Sequence, residues 1–300
     1  MIGEFAALGA AISWAVAPIM YKKALSGVSP FSANIMRCAT NAGVLVAILL
    51  ASGLAGVVAQ LPLPVLAVVV ASGVIGLGVG DTLYMYGLKS IGVARAVPLA
   101  SAYPLFSLLW ATLLLGQPLT ALAVVGSVAI LLGIWLLTRE RTESAVHVRN
   151  RFVLTGVAVS LMTAIVWSVS ITLMDFAVTM PGIVNALEAN YAMVTVRISG
   201  IALVFLALSP LLDRGRGFLK LGWRAVALLC VGGVVANGVG WLLMNYSFLN
   251  IAEAQAVPIS STTPLFSTLA GFAFFREKMT RDNTLGALMI VAGVVLIFVV

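Results

Sequence analysis

Charged side chains are scarce in this chain. Asp, Glu, Lys and Arg make up 9% of its 300 residues, against about 25% in an ordinary soluble domain. So few charges cannot cover the surface of a soluble protein of this length, and hydrophobic residues reach 62%. The apolar runs, such as VLAVVVASGVIGLGVG at 65–80, also lack the period-two alternation of membrane β-strands. The composition therefore excludes a soluble globular domain and predicts an all-α polytopic membrane protein.

Metal ligands and redox groups are nearly absent as well. The chain has two cysteines, Cys38 and Cys230, and one histidine, His147, and none of them has the spacing of a zinc or redox motif. We therefore expect no metal and no cofactor. Basic residues outnumber acidic ones by 17 to 10, but they lie mostly in or beside the loops between apolar runs, where membrane proteins normally carry them. This distribution argues against a nucleic-acid partner.

Ten apolar runs are long enough for transmembrane helices, which need about 20 residues each. The predicted spans, numbered one to ten in chain order, are 3–21, 31–52, 64–88, 93–115, 119–138, 152–175, 184–209, 223–248, 253–275 and 283–300. The lipid bilayer is therefore an expected partner, and we expect a multi-pass protein of the plasma (inner) membrane. Both a monomer and a homodimer are compatible with the sequence.

A long internal repeat divides the chain. The stretch AVPLASAYPLFS, from Ala96, returns 160 residues later as AVPISSTTPLFS, from Ala256, with eight of twelve positions identical. We predict a first five-helix repeat at 1–138, a polar linker at 139–151 and a second five-helix repeat at 152–300. Because each repeat has an odd number of spans, the two must enter the membrane in opposite directions. Inverted repeats of this kind are common in secondary transporters.

The charges of the loops agree with this inversion. Lys and Arg residues follow spans one, three, five, seven and nine, whereas the loops after spans two, four, six and eight have none. All the basic loops lie on one side of the membrane only if the halves are inverted. The positive-inside rule then places that side in the cytoplasm and both termini outside.

Three segments carry a family resemblance: MYGLKSIGVARAVPLASAYPLFSLLWATLLLGQPLT (85–120), NYSFLNIAEAQAVPISSTTPLFSTLAGFAFF (245–275) and REKMTRDNTLGALMIVAGVVLIF (276–298). Each is similar to part of an EamA-type domain, and the chain resembles two tandem copies of that domain, as in the drug/metabolite transporter superfamily. The resemblance implies a ten-helix permease that exports a small, amino-acid-like metabolite. It also implies termini in the cytoplasm, opposite to the charge pattern. This chain has Gln117 where the family has a glutamate, whereas its second copy keeps Glu277.

Two pairs of prolines interrupt spans four and nine, namely Pro98 with Pro104 and Pro258 with Pro264. Proline inside a helix removes a backbone hydrogen bond and clashes with the preceding turn, and in lipid the freed carbonyl group needs another partner. We therefore predict two kinked helices that line the transport path and act in gating. Static kinks inherited by duplication are the alternative.

Polar and aromatic side chains near these kinks are candidates for a cavity wall. Trp14 and Trp167 lie deep in spans one and six at equivalent places of the repeat. Packing between helices and interfacial belts are the alternatives for such residues, and bridging of adjacent helices is the alternative for Asn34, Asn190, Asn237 and Asn245. The predicted substrate-binding residues are Trp14, Asp81, Tyr84, Ser101, Tyr103, Trp167, Trp241, Asn245, Ser261 and Thr263.

A charged residue inside a membrane span costs free energy, so we expect it to have a structural or functional role. Arg37 and Arg197 occupy equivalent places in spans two and seven. We predict that they are structural or gating charges, paired with Glu188, Asp81 or Glu4, while snorkelling to the membrane interface and contact with an anionic substrate group are the alternatives. The acids in or near spans, which could carry a coupled proton, are Asp81, Asp175, Glu188 and Glu253. All four lie in the outer thirds of predicted spans, so we expect water to reach them.

Taken together, the sequence predicts a secondary transporter and not an enzyme. It would move a small polar metabolite by alternating access through a cavity between the two repeats. Two other functions stay open. The tetrapeptide Gly78-Val79-Gly80-Asp81 matches the GxGD signature of intramembrane aspartyl proteases, which would need a second carboxylate such as Asp175 to share a proton. A passive channel would need no conformational cycle.

Overall fold

The computed structural model describes residues 1–143, 150–181, 186–213, 216–266, 269 and 280–298. Every regular element within these ranges is helical. The helices run over Ile2–Ala24, Pro30–Ala51, Ala55–Gln60, Leu63–Ser72, Gly73–Gly80, Asp81–Ile91, Val93–Ala100, Tyr103–Leu115, Ala121–Glu143, Asn150–Val178, Ala186–Leu212, Gly217–Lys220, Trp223–Gly233, Val234–Gly240, Trp241–Phe248, Glu253–Ser260 and Arg281–Phe298. A further short helical stretch covers 263–266.

Continuous helix reaches membrane-spanning length in six places within the described ranges. By length and apolar composition, these segments are Ile2–Ala24, Pro30–Ala51, Leu63–Ile91, Leu154–Val178, Leu187–Leu212 and Trp223–Phe248. Two shorter apolar helices, Tyr103–Leu115 and Ala121–Leu136, belong to spans four and five. The all-helical polytopic architecture that the composition predicts is therefore confirmed. The latter part of span nine, including Glu277, lies outside the described residues, as does His147.

The boundaries of the helices agree with the predicted spans to within a few residues. Span two shows why a boundary falls where it does: Ser29 caps the helix by accepting a hydrogen bond from the amide N–H of Ser32 (3.0 Å), and Pro30 occupies the first turn, where its missing N–H costs nothing. Span five continues as helix to Glu143 and span six begins at Asn150. The middle of the predicted linker therefore lies outside the described residues, and its bounds stay a prediction.

Equivalent spans pack against each other in antiparallel pairs. Tyr191 of span seven donates a hydrogen bond to the carbonyl oxygen of Leu45 in span two (2.8 Å), and the rings of Phe31 and Phe205 lie 5.2 Å apart at the other end of the same pair. Phe31 is the repeat equivalent of Tyr191, and Leu45 is the equivalent of Phe205, at an offset of 160 residues. Exchanging the two halves therefore converts each contact into the other.

Spans five and ten show the same reciprocity. A Cβ added at Gly126 would meet the carbonyl oxygen of Gly293 at 2.7 Å, and one at Gly133 would meet that of Gly286 at 2.6 Å. Gly286 and Gly293 are themselves the repeat equivalents of Gly126 and Gly133. Small residues let membrane helices approach this closely. The crossed pairing requires the two helices to run in opposite directions, as an inverted repeat demands.

Basic loops from both halves meet at one end of the bundle. Lys22, after span one, donates to the carbonyl oxygen of Leu88 (3.1 Å), and Lys89, after span three, donates to that of Val28 (2.9 Å). From the second half, Asp213 at the end of span seven accepts a hydrogen bond from Ser32 at the start of span two (3.1 Å). The loop that carries Lys220 is therefore at the same end as the two basic loops of the first half.

Two kinds of helix irregularity occur at the centre of the bundle, and each half contains one of each kind. Spans three and eight contain π-helical segments, Gly73–Gly80 and Val234–Gly240. Spans four and nine each break for two residues, at 101–102 and at 261–262, between their prolines. The breaks agree with the predicted interruptions, whereas the π-helical segments have no counterpart in the sequence predictions.

Candidate functional site

One internal cavity lies where these irregular segments meet. Its volume is about 120 Å³, well above the ~10–15 Å³ that one water molecule needs. Spans one, three, four, six, eight and nine supply most of its wall, and spans two and seven supply one arginine each. The predicted substrate-binding residues that line it are Trp14, Asp81, Tyr84, Ser101, Tyr103, Trp167, Trp241, Ser261 and Thr263. Their shared location leaves their role in substrate binding as a prediction.

Two tryptophans enter the cavity in reciprocal positions. Trp14 of span one donates its indole N–H to the carbonyl oxygen of Ala236 in span eight (2.8 Å). Trp167 of span six donates its own to a carboxylate oxygen of Asp81 in span three (2.7 Å). Both rings therefore reach across to the irregular span of the other half, and each is fixed in orientation by its hydrogen bond.

Glycines make room for these rings. A Cβ added at Gly80 would lie 2.6 Å from Trp167, and one at Gly240 would collide with Trp14 in the same way. An indole ring thus packs directly against the last glycine of each π-helical segment. This packing explains why both spans are rich in glycine at the level of the cavity.

Further aromatic rings extend the wall on one side. Trp167 lies 4.8 Å from the ring of Tyr84 and 6.2 Å from that of Tyr103, the latter edge-on. On the opposite side, Trp14 and Trp241 lie 5.7 Å apart. Aromatic pairs at these distances attract each other by about 0.5–1.5 kcal/mol beyond the area they bury. The cavity is therefore largely aromatic, with polar groups at a few defined positions.

The broken helices place small polar groups in the wall. Ser101 and Ser261 lie at the two breaks and line the cavity. Thr263 donates a hydrogen bond to the carbonyl oxygen of Ala11 (3.2 Å), which ties span nine to span one. The hydroxyl group of Tyr103 lies 3.4 Å from that of Ser260, joining spans four and nine.

The four prolines take different places in these helices. Pro104 occupies the first turn of Tyr103–Leu115, where a missing N–H is tolerated, whereas Pro258 lies inside Glu253–Ser260. Pro264 lies in the first turn of the stretch 263–266. Pro98 lies within Val93–Ala100, and its side chain is outside what the structure describes. The second proline of each pair therefore starts a new helix after the break, and the predicted gating role of all four stays a prediction.

The two buried arginines have different partners. Arg37 forms an ion pair with Asp81 (2.7 Å) and also donates to Asn34 and Tyr21, so each of its three guanidinium nitrogens is engaged. Arg197 stacks on Trp241, with its guanidinium carbon 3.5 Å from the ring centroid, and donates one hydrogen bond to Ser170 (2.8 Å). The structure forms the proposed pairing between Arg37 and Asp81.

Several predicted residues lie away from the cavity. Asn245 is fully buried and donates to Asn190 (2.9 Å), so it joins spans seven and eight and does not line the wall. Glu188 is exposed in the first turn of span seven, and Glu4 is paired with the terminal amino group. Helix bridging, the alternative use of asparagine, fits Asn245, whereas Asn237 lines the cavity.

Sequence reasoning also missed residues on the same helix faces as the tryptophans. Ser170 follows Trp167 by three positions, and Tyr21 follows Trp14 by seven. Both line the cavity. Positions three, four and seven apart share one face of a helix, so helical spacing from the two tryptophans was the signal that could have found them.

A second polar group of residues lies between spans four, six and nine, and we call it the acidic cluster: Gln117, Asp175, Thr172 and Glu253. Gln117 donates to Asp175 (2.9 Å), and Thr172 donates to one carboxylate oxygen of Glu253 (2.7 Å). Asp175 is 1% exposed and Glu253 is 0% exposed. The expectation that water reaches these two acids is therefore wrong, because neighbouring helices cover them.

These features define a polytopic helical membrane protein in which two inverted halves enclose one aromatic cavity, an arrangement typical of secondary transporters. The model of the EamA-like transporter family matches the sequence twice, over residues 1–139 and 154–299. The chain belongs to the EamA-like transporter family and is a membrane transporter.

Two proteins are similar to this chain over nearly its whole length. An "Uncharacterized transporter" of Archaeoglobus fulgidus is 25% identical over 303 residues, which cover 99% of this chain and 98% of that protein. A protein of solved crystal structure has a TM-score of 0.71 to this chain at 21% identity, and the match covers 98% of this chain and 95% of that one. At that level of identity the crystal structure supports the fold alone.

Proposed function

We propose that this protein is a secondary transporter of the plasma membrane that exports a small polar, amino-acid-like metabolite by alternating access. The observation that carries the proposal is the reciprocal placement of Trp14 and Trp167, each reaching into the irregular span of the opposite half. A site shared by two inverted halves can be opened to either side by rocking one half against the other. Since both halves belong to one chain, one chain is a complete transport unit, whether or not it dimerises.

The broken helices support a conformational cycle. At 101–102 and 261–262 the helix is interrupted directly beside the cavity. Turn hydrogen bonds cross each break, such as those from the amide N–H of Ala102 to the carbonyl oxygen of Leu99 (3.3 Å) and from that of Thr262 to Ile259 (3.2 Å). A change in the angle between the flanking pieces can therefore be confined to these turns. The π-helical segments lie at the same level, and such segments are frequent at functional sites. In this mechanism the four prolines gate access from the two sides in turn.

Proton coupling is the driving mechanism that we propose, with Glu253 as the carrier. One of its carboxylate oxygens accepts from Thr172, while the other makes no hydrogen bond of good geometry among the described residues and has the hydroxyl group of Ser107 as its neighbour. Asp175, held by Gln117, is the other acid of the cluster. A buried charge without full hydrogen bonding is costly, and proton uptake removes that cost, which is why intramembrane carboxyl groups serve as proton relays.

The geometry does not favour the two alternative functions. An aspartyl protease needs two carboxylates that share a proton, whereas Asp81 is engaged by Arg37 and Trp167 and Asp175 by Gln117. Gly78, Val79 and Gly80 end a π-helical segment and Asp81 starts the next helix, while the two glycines pack against Ile201 and Trp167. A passive channel needs no conformational cycle, whereas helices interrupted beside the cavity are suited to one.

The test is a solute screen in proteoliposomes, with and without a pH gradient. A carrier is expected to give saturable uptake of at least one small polar solute, and preloading the vesicles with that solute should accelerate entry of its labelled form. Trp14→Ala and Trp167→Ala should each change the transport kinetics. Non-saturable flux without acceleration by preloading would indicate a channel, and unchanged kinetics in both variants would refute the cavity as the transport site.

A further inference from the structure

The two buried arginines occupy equivalent positions of the repeat but have different neighbours. Arg37 and Arg197 are equivalent residues, but three residues whose side-chain oxygens engage Arg37 are replaced in the second half by residues without an oxygen acceptor. The polar partners and their repeat equivalents are, in order, Asn34 and Val194, Tyr21 and Met174, and Asp81 and Trp241. The second half therefore keeps the buried cation without the groups that neutralise it in the first.

Arg197 is left with unused donors. Its side chain is 1% exposed and lines the cavity, and one terminal nitrogen, Nη2, donates to Ser170. Its Nε and Nη1 atoms find no hydrogen-bond acceptor among the described residues. Stacking on Trp241 offsets part of the cost of burying a cation, but it provides no acceptor. Buried donors without partners are costly, so this site is poised to bind an acceptor that comes from outside the chain.

Asn237 adds a neutral donor in the same wall. It lies in the π-helical segment of span eight, is 5% exposed and lines the cavity. Its side-chain nitrogen has no hydrogen-bond partner in the part of the chain that the structure describes. The repeat equivalent of Asn237 is Leu77, so this donor, like the unpaired cation, is a property of the second half.

The charges that face the cavity fix the sign of the expected ligand. Among the lining residues that the structure describes, the charged ones are Arg37, Asp81 and Arg197. Asp81 is engaged by Arg37 and by the indole N–H of Trp167, which leaves one positive charge uncompensated. A single unpaired guanidinium beside an aromatic wall matches a monovalent anion with an apolar body better than it matches a polyanion, which would need several cations.

We propose that Arg197, assisted by Asn237, binds the carboxylate group of the transported solute, whose apolar body lies against Trp14 and Trp167. This inference rests on the proposed function, because it assigns the substrate class of the same cavity. Hydrogen bonds between an ionised donor and an ionised acceptor are among the strongest in proteins. The carboxylate therefore supplies most of the discrimination, and the aromatic rings tolerate a range of apolar groups.

The test compares each acid with its primary amide, which has nearly the same shape and no negative charge. Proteoliposomes are offered phenylacetate and phenylacetamide, phenylalanine and phenylalaninamide, and any acid that the general screen finds to be transported, with its amide. The wild type is expected to prefer the acid by roughly 10-fold or more in apparent affinity, as expected for a hydrogen bond to a charged group. Arg197→Gln should remove this preference by weakening transport of the acid, and Arg197→Lys should keep part of it.

Two further variants make the test independent of misfolding. Asn237→Leu places the residue of the first half in the second; it should weaken the acid a few-fold and the amide less, because the amide oxygen accepts a weaker, neutral hydrogen bond. Arg224→Gln is the matched control, because Arg224 also lies over a tryptophan, Trp223, but is exposed outside the cavity; its acid preference should equal that of the wild type. Monodispersity in detergent and an unchanged melting temperature identify variants that are folded.

The outcomes separate this inference from the proposed function. If no solute shows saturable, preloading-dependent uptake, the proposed function fails. If such uptake exists but the wild type does not prefer acids, or a folded Arg197→Gln variant keeps the preference, then Arg197 does not bind a carboxylate while the transporter assignment stands. Transport confined to solutes without an acidic group would also overturn the inference.

Discussion

At the scale of the residue, the same arginine position serves two purposes in one chain. Arg37 is saturated with partners, which makes it a structural tie between spans two and three, whereas Arg197 is stacked but retains free donors. The sequence predicted that both are structural or gating charges, and it could not distinguish them, because their difference depends on which side chains of other spans lie within a few ångströms. The residues equivalent to the partners of Arg37, namely Val194, Met174 and Trp241, hint at it.

The ion pair between Arg37 and Asp81 yields a prediction for stability. Removing one partner of a buried pair leaves an uncompensated charge and costs about 3–5 kcal/mol. Arg37→Met and Asp81→Leu should therefore each lower the melting temperature in detergent markedly. The double variant Arg37→Met/Asp81→Leu should be less destabilised than the sum of the single changes. Additive losses in the double variant would show that the two side chains do not interact.

At the scale of the element, apolar run length was enough to predict where the spans lie, because a helix is the structure that satisfies every backbone group of a single segment in lipid. The proline pairs likewise predicted the interrupted helices of spans four and nine. The π-helical segments could not be predicted in this way. They depend on the rings and side chains that press on Gly76, Gly80 and Gly240 from other spans, and those contacts are absent from any local pattern.

Glycine packing between spans five and ten allows a matched comparison. Gly133→Ala and Gly293→Ala each place a Cβ against the backbone of the partner span, and overpacking of this kind typically costs 1–3 kcal/mol. Because the two sites are equivalent, their losses should be similar. Gly43→Ala is the control, since nothing lies within 4 Å of its Cβ position and alanine favours a helix by up to about 1 kcal/mol. Thermal unfolding in detergent measures all three, and a stable Gly133→Ala variant would contradict the packing.

At the scale of the whole molecule, the odd span number and the charged loops predicted an inverted repeat, and the crossed contacts between spans two and seven and between spans five and ten agree with it. The cavity follows from this symmetry, since equivalent irregular helices can meet only near the axis that relates the halves. Its chemistry follows from departures from the symmetry. Asp81 faces the cavity from one half, and the uncharged Trp241 takes the equivalent place in the other. The two sides of the wall therefore differ in charge, as they would not in an exact repeat.

The proposed coupling is a property of the whole cycle and has its own test. Glu253→Gln keeps the shape and the hydrogen bond with Thr172 but cannot carry a proton. It should abolish accumulation driven by a pH gradient while leaving exchange of labelled for unlabelled solute intact. The matched variant Glu188→Gln changes an exposed carboxylate and should leave both activities unchanged. Gradient-driven accumulation that survives in Glu253→Gln would exclude this residue as the carrier.

The inverted topology is the claim on which the cavity, the cycle and the substrate class all depend. Its most direct test is accessibility of single cysteines in intact cells, in a variant whose Cys38 and Cys230 have been replaced. Lys23→Cys and Lys220→Cys, exposed at helix ends in opposite halves, should both be protected from a membrane-impermeant maleimide, while Ser52→Cys, at the other end of span two, should be labelled. Labelling of Lys23→Cys and Lys220→Cys from opposite sides of the membrane would contradict the account.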